Sequence, residues 1–122
     1  MKNILLVEDE EELIDIVGSV FGEEGYNVKK SVSAEAALQL CESYQPDLII
    51  CDVKMGEMDG FAMLEKLKTS EKLKNIPFIF LTAFDEPEAR KKGMKLGADA
   101  YITKPFDIAD LLRTVRKLVP PA

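Results

Sequence analysis

The sequence predicts a doubly wound α/β domain: one parallel sheet of five strands with helices on both faces. Three observations predict it. Short apolar runs recur along the chain, at Ile4-Leu5-Leu6-Val7, Leu48-Ile49-Ile50-Cys51 and Phe78-Ile79-Phe80-Leu81. Runs without alternation suit strands buried on both faces, as in a parallel sheet. Segments with apolar residues at helical spacing lie between them, and the connections are short, so the strands join by right-handed crossovers.

The elements follow in order. The first strand, Ile4 to Val7, stops at the acidic cluster Glu8 to Glu12. Leu13, Ile14, Val17, Val20 and Phe21 then share one helical face, and Gly25 ends that helix. Tyr26 to Lys30 is a shorter, more polar strand around Val28. Ser33 is a candidate N-cap for a helix through Ser43, with Ala37, Leu38 and Cys41 on one face. Pro46-Asp47 breaks the chain before the third strand, Leu48 to Cys51, which ends at Asp52. A loop with Gly56 and Gly60 leads to a helix marked by Phe61, Leu64 and Leu67. Pro77 precedes the fourth strand, which ends at Thr82. Pro87 sits near the start of the next helix, where a missing N–H costs little, and Gly97 closes it. Ala100-Tyr101-Ile102 is the last strand, followed by Thr103-Lys104-Pro105. Ile108, Leu111, Leu112, Val115 and Leu118 mark the final helix, stopped by Pro120-Pro121.

Composition bounds the function. The 122 residues suit one domain, and 47% hydrophobic with 31% charged residues is ordinary for a soluble globular fold. The formal charge of −6 disfavours direct nucleic-acid binding, which draws on cation–phosphate contacts. There is no histidine, so Ser-His-Asp and Cys-His catalysis and His-ligated zinc are excluded, and the chain cannot itself carry phosphohistidine. Cys41 and Cys51 form no CxxC pair and follow no signal-peptide pattern. They read as reduced, packed thiols of a cytoplasmic protein. No apolar run approaches the length of a membrane span.

In a doubly wound sheet, ligands bind beyond the carboxyl ends of the strands, at the switch point in strand order. Those ends hold Glu8 and Asp9 (first strand), Asp52 (third), Thr82 followed by Ala83 (fourth) and Lys104 (fifth). Any one of these acids alone would be an ordinary solvated loop residue; together they form a constellation. Two carboxylates about 5 Å apart repel by about 3 kcal/mol at an effective dielectric of about 20. Three such pairs cost about 10 kcal/mol, comparable with the stability of a domain. One lysine is not enough to relieve this. A divalent cation on oxygen ligands is, and without histidine Mg²⁺ is the natural choice, with Mn²⁺ a possible substitute. A metal with open positions beside an ammonium and a hydroxyl suits a phosphoryl group.

These residues resemble a known family. Val7-Glu8-Asp9-Glu10, Asp52 with Met55 and Met58-Asp59-Gly60, Leu81-Thr82-Ala83, Gly97-Ala98-Asp99-Ala100-Tyr101 and Lys104-Pro105-Phe106 resemble, in order and spacing, the CheY-like receiver domain of two-component response regulators. The resemblance runs from Lys2 to about Val119. It implies the flavodoxin-like (βα)₅ fold with strand order 2-1-3-4-5. Residues 1–119 are then the receiver, and 120–122 a tail or the start of a linker, which leaves open a stand-alone regulator or part of a larger protein.

The resemblance also implies roles. Asp52 accepts a phosphoryl group from a histidine kinase or histidine phosphotransfer protein. Glu8, Asp9, Asp52 and the backbone carbonyl of Lys54 hold Mg²⁺. Thr82, Ala83 and Lys104 bind the phosphoryl group, the Lys104–Pro105 bond is cis, and Tyr101 moves inward as Thr82 is engaged. An effector would read the face of the last two helices and fifth strand, with Arg90, Lys91, Lys92, Asp99, Asp107, Asp110, Arg113 and Arg116. Mixed charge there permits a homodimer, though a solvated face is the favoured reading.

Three positions flank the site and would tune its rates. Gly56 stands where many members have proline and should loosen its loop. Lys54 and Phe84 follow Asp52 and Thr82 by two residues, and Phe84 would screen the acyl phosphate from water. A receiver of this kind turns over no external substrate. An aspartyl-phosphate phosphatase would want a carboxylate where Lys54 stands, and a nucleotide or flavin binder would want a glycine-rich loop after the first strand. A degenerate receiver serving as a phosphorylation-independent binding module is the other reading, and the intact acidic and basic set argues against it.

Overall fold

The computed structural model describes residues 1–121, so the last residue of the expected tail, Ala122, lies outside the described residues. The chain runs β1 (Lys2–Val7), α1 (Glu11–Glu23), β2 (Tyr26–Ser31), α2 (Ala34–Leu40), β3 (Leu48–Cys51), α3 (Gly60–Lys68), β4 (Phe78–Thr82), α4 (Pro87–Leu96), β5 (Ala100–Thr103) and α5 (Ile108–Leu118). All pairings are parallel and the sheet order is β2-β1-β3-β4-β5. The five-stranded doubly wound architecture is the one the apolar runs predict.

The apolar runs supply both faces of the sheet at once. Ile4, Leu6, Leu48, Ile50, Ile79 and Leu81 face α1 and α5, where Ile14, Val17, Phe21, Leu111 and Val115 are buried. Leu5, Val7, Ile49, Cys51, Phe78 and Phe80 face α2, α3 and α4. Side chains alternate sides along each strand, so a strand with apolar residues at every position needs a helix layer on each face.

Local signals set most boundaries. The hydroxyl of Ser33 accepts the N–H of Ala36, and the carboxylate of Asp59 accepts that of Ala62, capping α2 and α3. Pro87 is in the first turn of α4, and Gly97 ends it in the left-handed region at φ 112°. Some boundaries differ from expectation. β1 and β2 each run longer, because Lys2 pairs with Tyr26 and Val7 with Ser31. α2 stops at Leu40 rather than Ser43, since Glu42 and Ser43 donate to Gln39 and Leu40 three residues back and tighten the chain before Pro46.

The order places the switch point between β1 and β3. The chain leaves β1 toward β2 on one side, then returns to lay β3, β4 and β5 on the other. The loops after β1 and β3 therefore diverge and open a crevice.

Candidate functional site

The sheet ladder positions the side chains at that crevice. The N–H of Asp52 donates to Val7 O at 3.1 Å, that of Glu8 to Ser31 O at 3.0 Å, and that of Lys104 to Thr82 O at 2.8 Å. Each site residue is thus held by the last bond of its strand. The Lys104–Pro105 peptide is cis.

Lys104 is the electrostatic centre. Its Nζ donates to Glu8 Oε1 at 3.0 Å, Asp52 Oδ2 at 3.1 Å and Glu10 Oε1 at 3.3 Å. The lysine side chain is 13% exposed and that of Glu8 1%. The second oxygen of Glu8 accepts the N–H groups of Asp9 and Glu10. Burial raises the pKa of Glu8 above its ordinary value, against the opposing bond from Lys104. Burial alone would lower Lys104, but its bonds with Glu8 and Asp52 outweigh that and raise it, so the ammonium stays protonated at neutral pH.

Beside this cluster lies a cleft of about 320 Å³ lined by Asp9, Glu10, Asp52, Lys54, Thr82, Ala83 and Phe84. Lys54 donates its N–H to Asp52 Oδ1 at 3.3 Å. Thr82 is buried, and its hydroxyl oxygen accepts the N–H of Phe84 at 3.2 Å. The Lys54 ammonium sits 4.2 Å from the centre of the Phe84 ring, so these two side chains form one rim. Tyr101 lies inward and buried, its hydroxyl donating to Phe84 O, with the guanidinium of Arg90 over its ring. Burial pushes its phenol pKa up.

The donor set fits a hard divalent cation. Oxygens of Glu8, Glu10 and Asp52 lie within 4.8 Å of one another, and the group they surround is the Lys104 ammonium. Asp9 stands apart from that lysine and lines the cleft with Asp52 and Lys54. Four carboxylates against one buried ammonium leave an excess of negative charge for a cation to offset. Both oxygens of Glu8 are committed to Lys104 and to backbone N–H groups, and those of Asp52 to Lys104 and the Lys54 N–H, while Asp9 and Asp52 line the cleft.

Two residues with a part in the site were named from the sequence only as members of motifs, without a role there. Glu10 reaches Lys104 and lines the cleft; its signals were the acidic run after β1 and the motif Val7-Glu8-Asp9-Glu10. Gly60 begins α3 so close to β3 that a Cβ there would lie 2.3 Å from the backbone oxygen of Asp52. Gly56 adopts φ 46°, in the left-handed region, so its loop uses a conformation that disfavours other residues.

Comparison with known proteins covers nearly the whole chain. A profile of the response regulator receiver domain matches residues 4–116. The DNA-binding dual master transcriptional regulator RpaA of Synechocystis is 34% identical over 98% of this chain and 49% of its own length. The chain spans about half the length of several curated relatives it matches. Among solved structures, the signal receiver domain of a signal transduction histidine kinase from Syntrophus aciditrophicus superposes with a TM-score of 0.91 at 34% identity, covering 98% of this chain and 90% of that one. The Mn²⁺-bound form of response regulator Rcp1 superposes with a TM-score of 0.84 at 26% identity, covering 97% and 91%.

Proposed function

The chain belongs to the response regulator receiver family, and on that premise we propose that it is a phosphorylation-activated switch whose acceptor is Asp52. The observation that carries this reading is the setting of the Asp52 carboxylate. One oxygen is held by the Lys104 ammonium, the other lies in the cleft beside Lys54, and buried Thr82 lines the same cleft.

The donor is a phosphohistidine on a histidine kinase or histidine phosphotransfer protein, since this chain has no histidine of its own. An Asp52 oxygen attacks phosphorus and forms the acyl phosphate. The P–N bond breaks, and the imidazole nitrogen keeps the electron pair. Asp52 is a weak nucleophile, so the step needs an activated donor and neutralised charge. Lys104 pairs with the phosphoryl group, and the Thr82 hydroxyl and Ala83 N–H donate to its oxygens. Glu8, Asp9, Asp52 and the Lys54 carbonyl would hold Mg²⁺, or Mn²⁺ in its place. When bound, that ion offsets charge on the transferring oxygens. Thr82 engagement would hold Tyr101 in the inward position that it already occupies in this structure, coupling the site to the surface of α4, β5 and α5 that an effector reads. Water later cleaves the acyl phosphate and returns Asp52; no external substrate is turned over.

The buried free thiols fit a cytoplasmic setting. Among the described residues no helix is long and apolar enough to cross a membrane. RpaA is described as DNA-binding, but this chain spans about half of it, and a charge of −6 argues against nucleic-acid binding by this chain's own surface.

The test is mass spectrometry after incubation with acetyl phosphate. One phosphoryl group is expected in the presence of Mg²⁺, and none in its absence or in Asp52→Ala. Failure of the unaltered protein to gain it, with Mg²⁺ binding shown separately, would favour the phosphorylation-independent module instead.

The rim of the cleft sets a second expectation. Phe84 stands over the approach to Asp52, steadied by Lys54. Phe84→Asn replaces an apolar face with a group that can position water, so the phosphoryl lifetime should shorten about tenfold, as for a modest general-base-like effect. Phosphate release followed after removal of donor measures it; an unchanged lifetime would remove the screening role.

A further inference from the structure

Charge is unevenly divided along the chain. Residues 60–97 carry 8 Lys and Arg against 5 Asp and Glu, and the rest carry 8 against 17. Most of the contrast lies on α4, with Arg90, Lys91, Lys92 and Lys95. Two of the three cations of α5 are used within the chain, Arg113 with Asp110 and Arg116 with Glu24, leaving Lys117. Asp99 and Asp107 likewise accept backbone N–H groups, from Phe78 and Ala109. Among the described residues no carboxylate lies within ion-pair distance of the α4 cations.

The helix has two distinct flanks. Arg90 lies over Tyr101, on the β5 side, while Lys92 lies 4.8 Å from the centre of the Phe61 ring, on the α3 side. Glu88, Lys91, Lys92, Lys95 and Leu96 line a depression of about 550 Å³ on that second flank. Helical spacing sets Glu88, Lys91, Lys92 and Lys95 on one face. The depression therefore joins three ammonium groups without a carboxylate partner, one carboxylate and a half-buried leucine.

We propose that the α3-facing side of α4 is a docking surface for an acidic segment of a partner protein, presenting carboxylates to Lys91, Lys92 and Lys95 and an apolar side chain to Leu96. Charge complementarity selects the partner's sign, and the excess negative charge on the rest of the molecule repels extended polyanions such as nucleic acid. The apolar element is recessed: Phe61 is 5% exposed and Leu96 half-buried. A single side chain can enter there, whereas a bilayer surface cannot follow. The proposal does not depend on Asp52 phosphorylation.

Three probes are titrated separately into ¹⁵N-labelled, unphosphorylated protein: a short peptide of glutamate and leucine, phosphatidylserine-containing vesicles, and a DNA duplex. The peptide should shift the amide signals of Lys91, Lys92, Lys95 and Leu96 saturably, and salt should weaken it. The double variant Lys91→Glu with Lys95→Glu should bind at least about tenfold more weakly, while still gaining a phosphoryl group from acetyl phosphate. Peptide shifts that map elsewhere, an affinity unchanged by the charge reversal, or binding of vesicles or duplex at these residues without the peptide would each overturn the proposal. Loss of phosphorylation in the unaltered protein would count against the proposed switch and leave this surface standing.

Discussion

Gly60→Ala should lower stability by about 3 kcal/mol, or about 10 °C in Tm for a domain of this length, and should disturb phosphoryl acceptance as well. The reason is a backbone contact. A Cβ on Gly60 would stand 2.3 Å from the backbone oxygen of Asp52 and 3.0 Å from a ring carbon of Phe80. Neither neighbour is a free chain end: Asp52 is tied through its N–H to β1, and Phe80 is fully buried in β4. Alanine also strengthens the helix start by less than about 1 kcal/mol, too little to offset the clash. Relief requires α3 to back away from β3, which draws on the N–H of Gly60 bonded to Val53 O at 2.7 Å. Gly56→Ala is the control. It meets no atom within 4 Å and suffers only from its left-handed φ, so it should cost about 1 kcal/mol. Urea denaturation of both variants, with mass spectrometry of acetyl phosphate-treated protein, checks the pair. Equal stability losses would show that the close approach to Asp52 does not govern this position.

The contrast between these glycines shows what was legible in the sequence. Each apolar run followed by a polar residue predicted both a strand and the site residue at its end, because the same residue stops burial and faces the crevice. Asp52, Thr82 and Lys104 lie at strand ends for that reason. The division of labour between Glu8 and Asp9 was not legible. Adjacent acids look alike in sequence, and only the pleat decides that one turns inward to Lys104 while the other lines the cleft. Gly60 was equally silent, since a glycine opening a helix carries no sign of which backbone it approaches. The arginines of α4 and α5 also read alike until the fold brings Glu24 beside Arg116 and Tyr101 beneath Arg90.

Lys104→Met should destabilise the protein by about 3 kcal/mol at neutral pH, with a loss that depends on pH in two directions. The lysine stem packs where methionine can follow, so the change is chiefly one of charge. It leaves Glu8, 1% exposed, and Asp52 facing each other with no cation between them. Glu8 already has a raised pKa because burial disfavours its ionised form, and removal of Lys104 takes away a bond that opposes the rise. An acid raised on folding costs stability when ionised. That cost is absent below the unfolded value of 4.5 and develops as pH rises through the folded value. The variant should therefore approach the parent as pH falls toward 4.5. At the alkaline end the parent loses its advantage. The folded pKa of Lys104 is raised above 10.5, so its contribution is complete below 10.5 and disappears as pH rises through the folded value. The stability difference should thus be widest between these limits. Mg²⁺ should narrow it at neutral pH, because a cation that binds only the folded state stabilises it and the variant has more uncompensated charge to offer. Urea denaturation across pH, with EDTA and with Mg²⁺, measures all three trends. A difference that stayed constant across pH would assign the lysine's contribution to packing, and the buried ion pair would then not be what holds the ends of β1, β3 and β5 together.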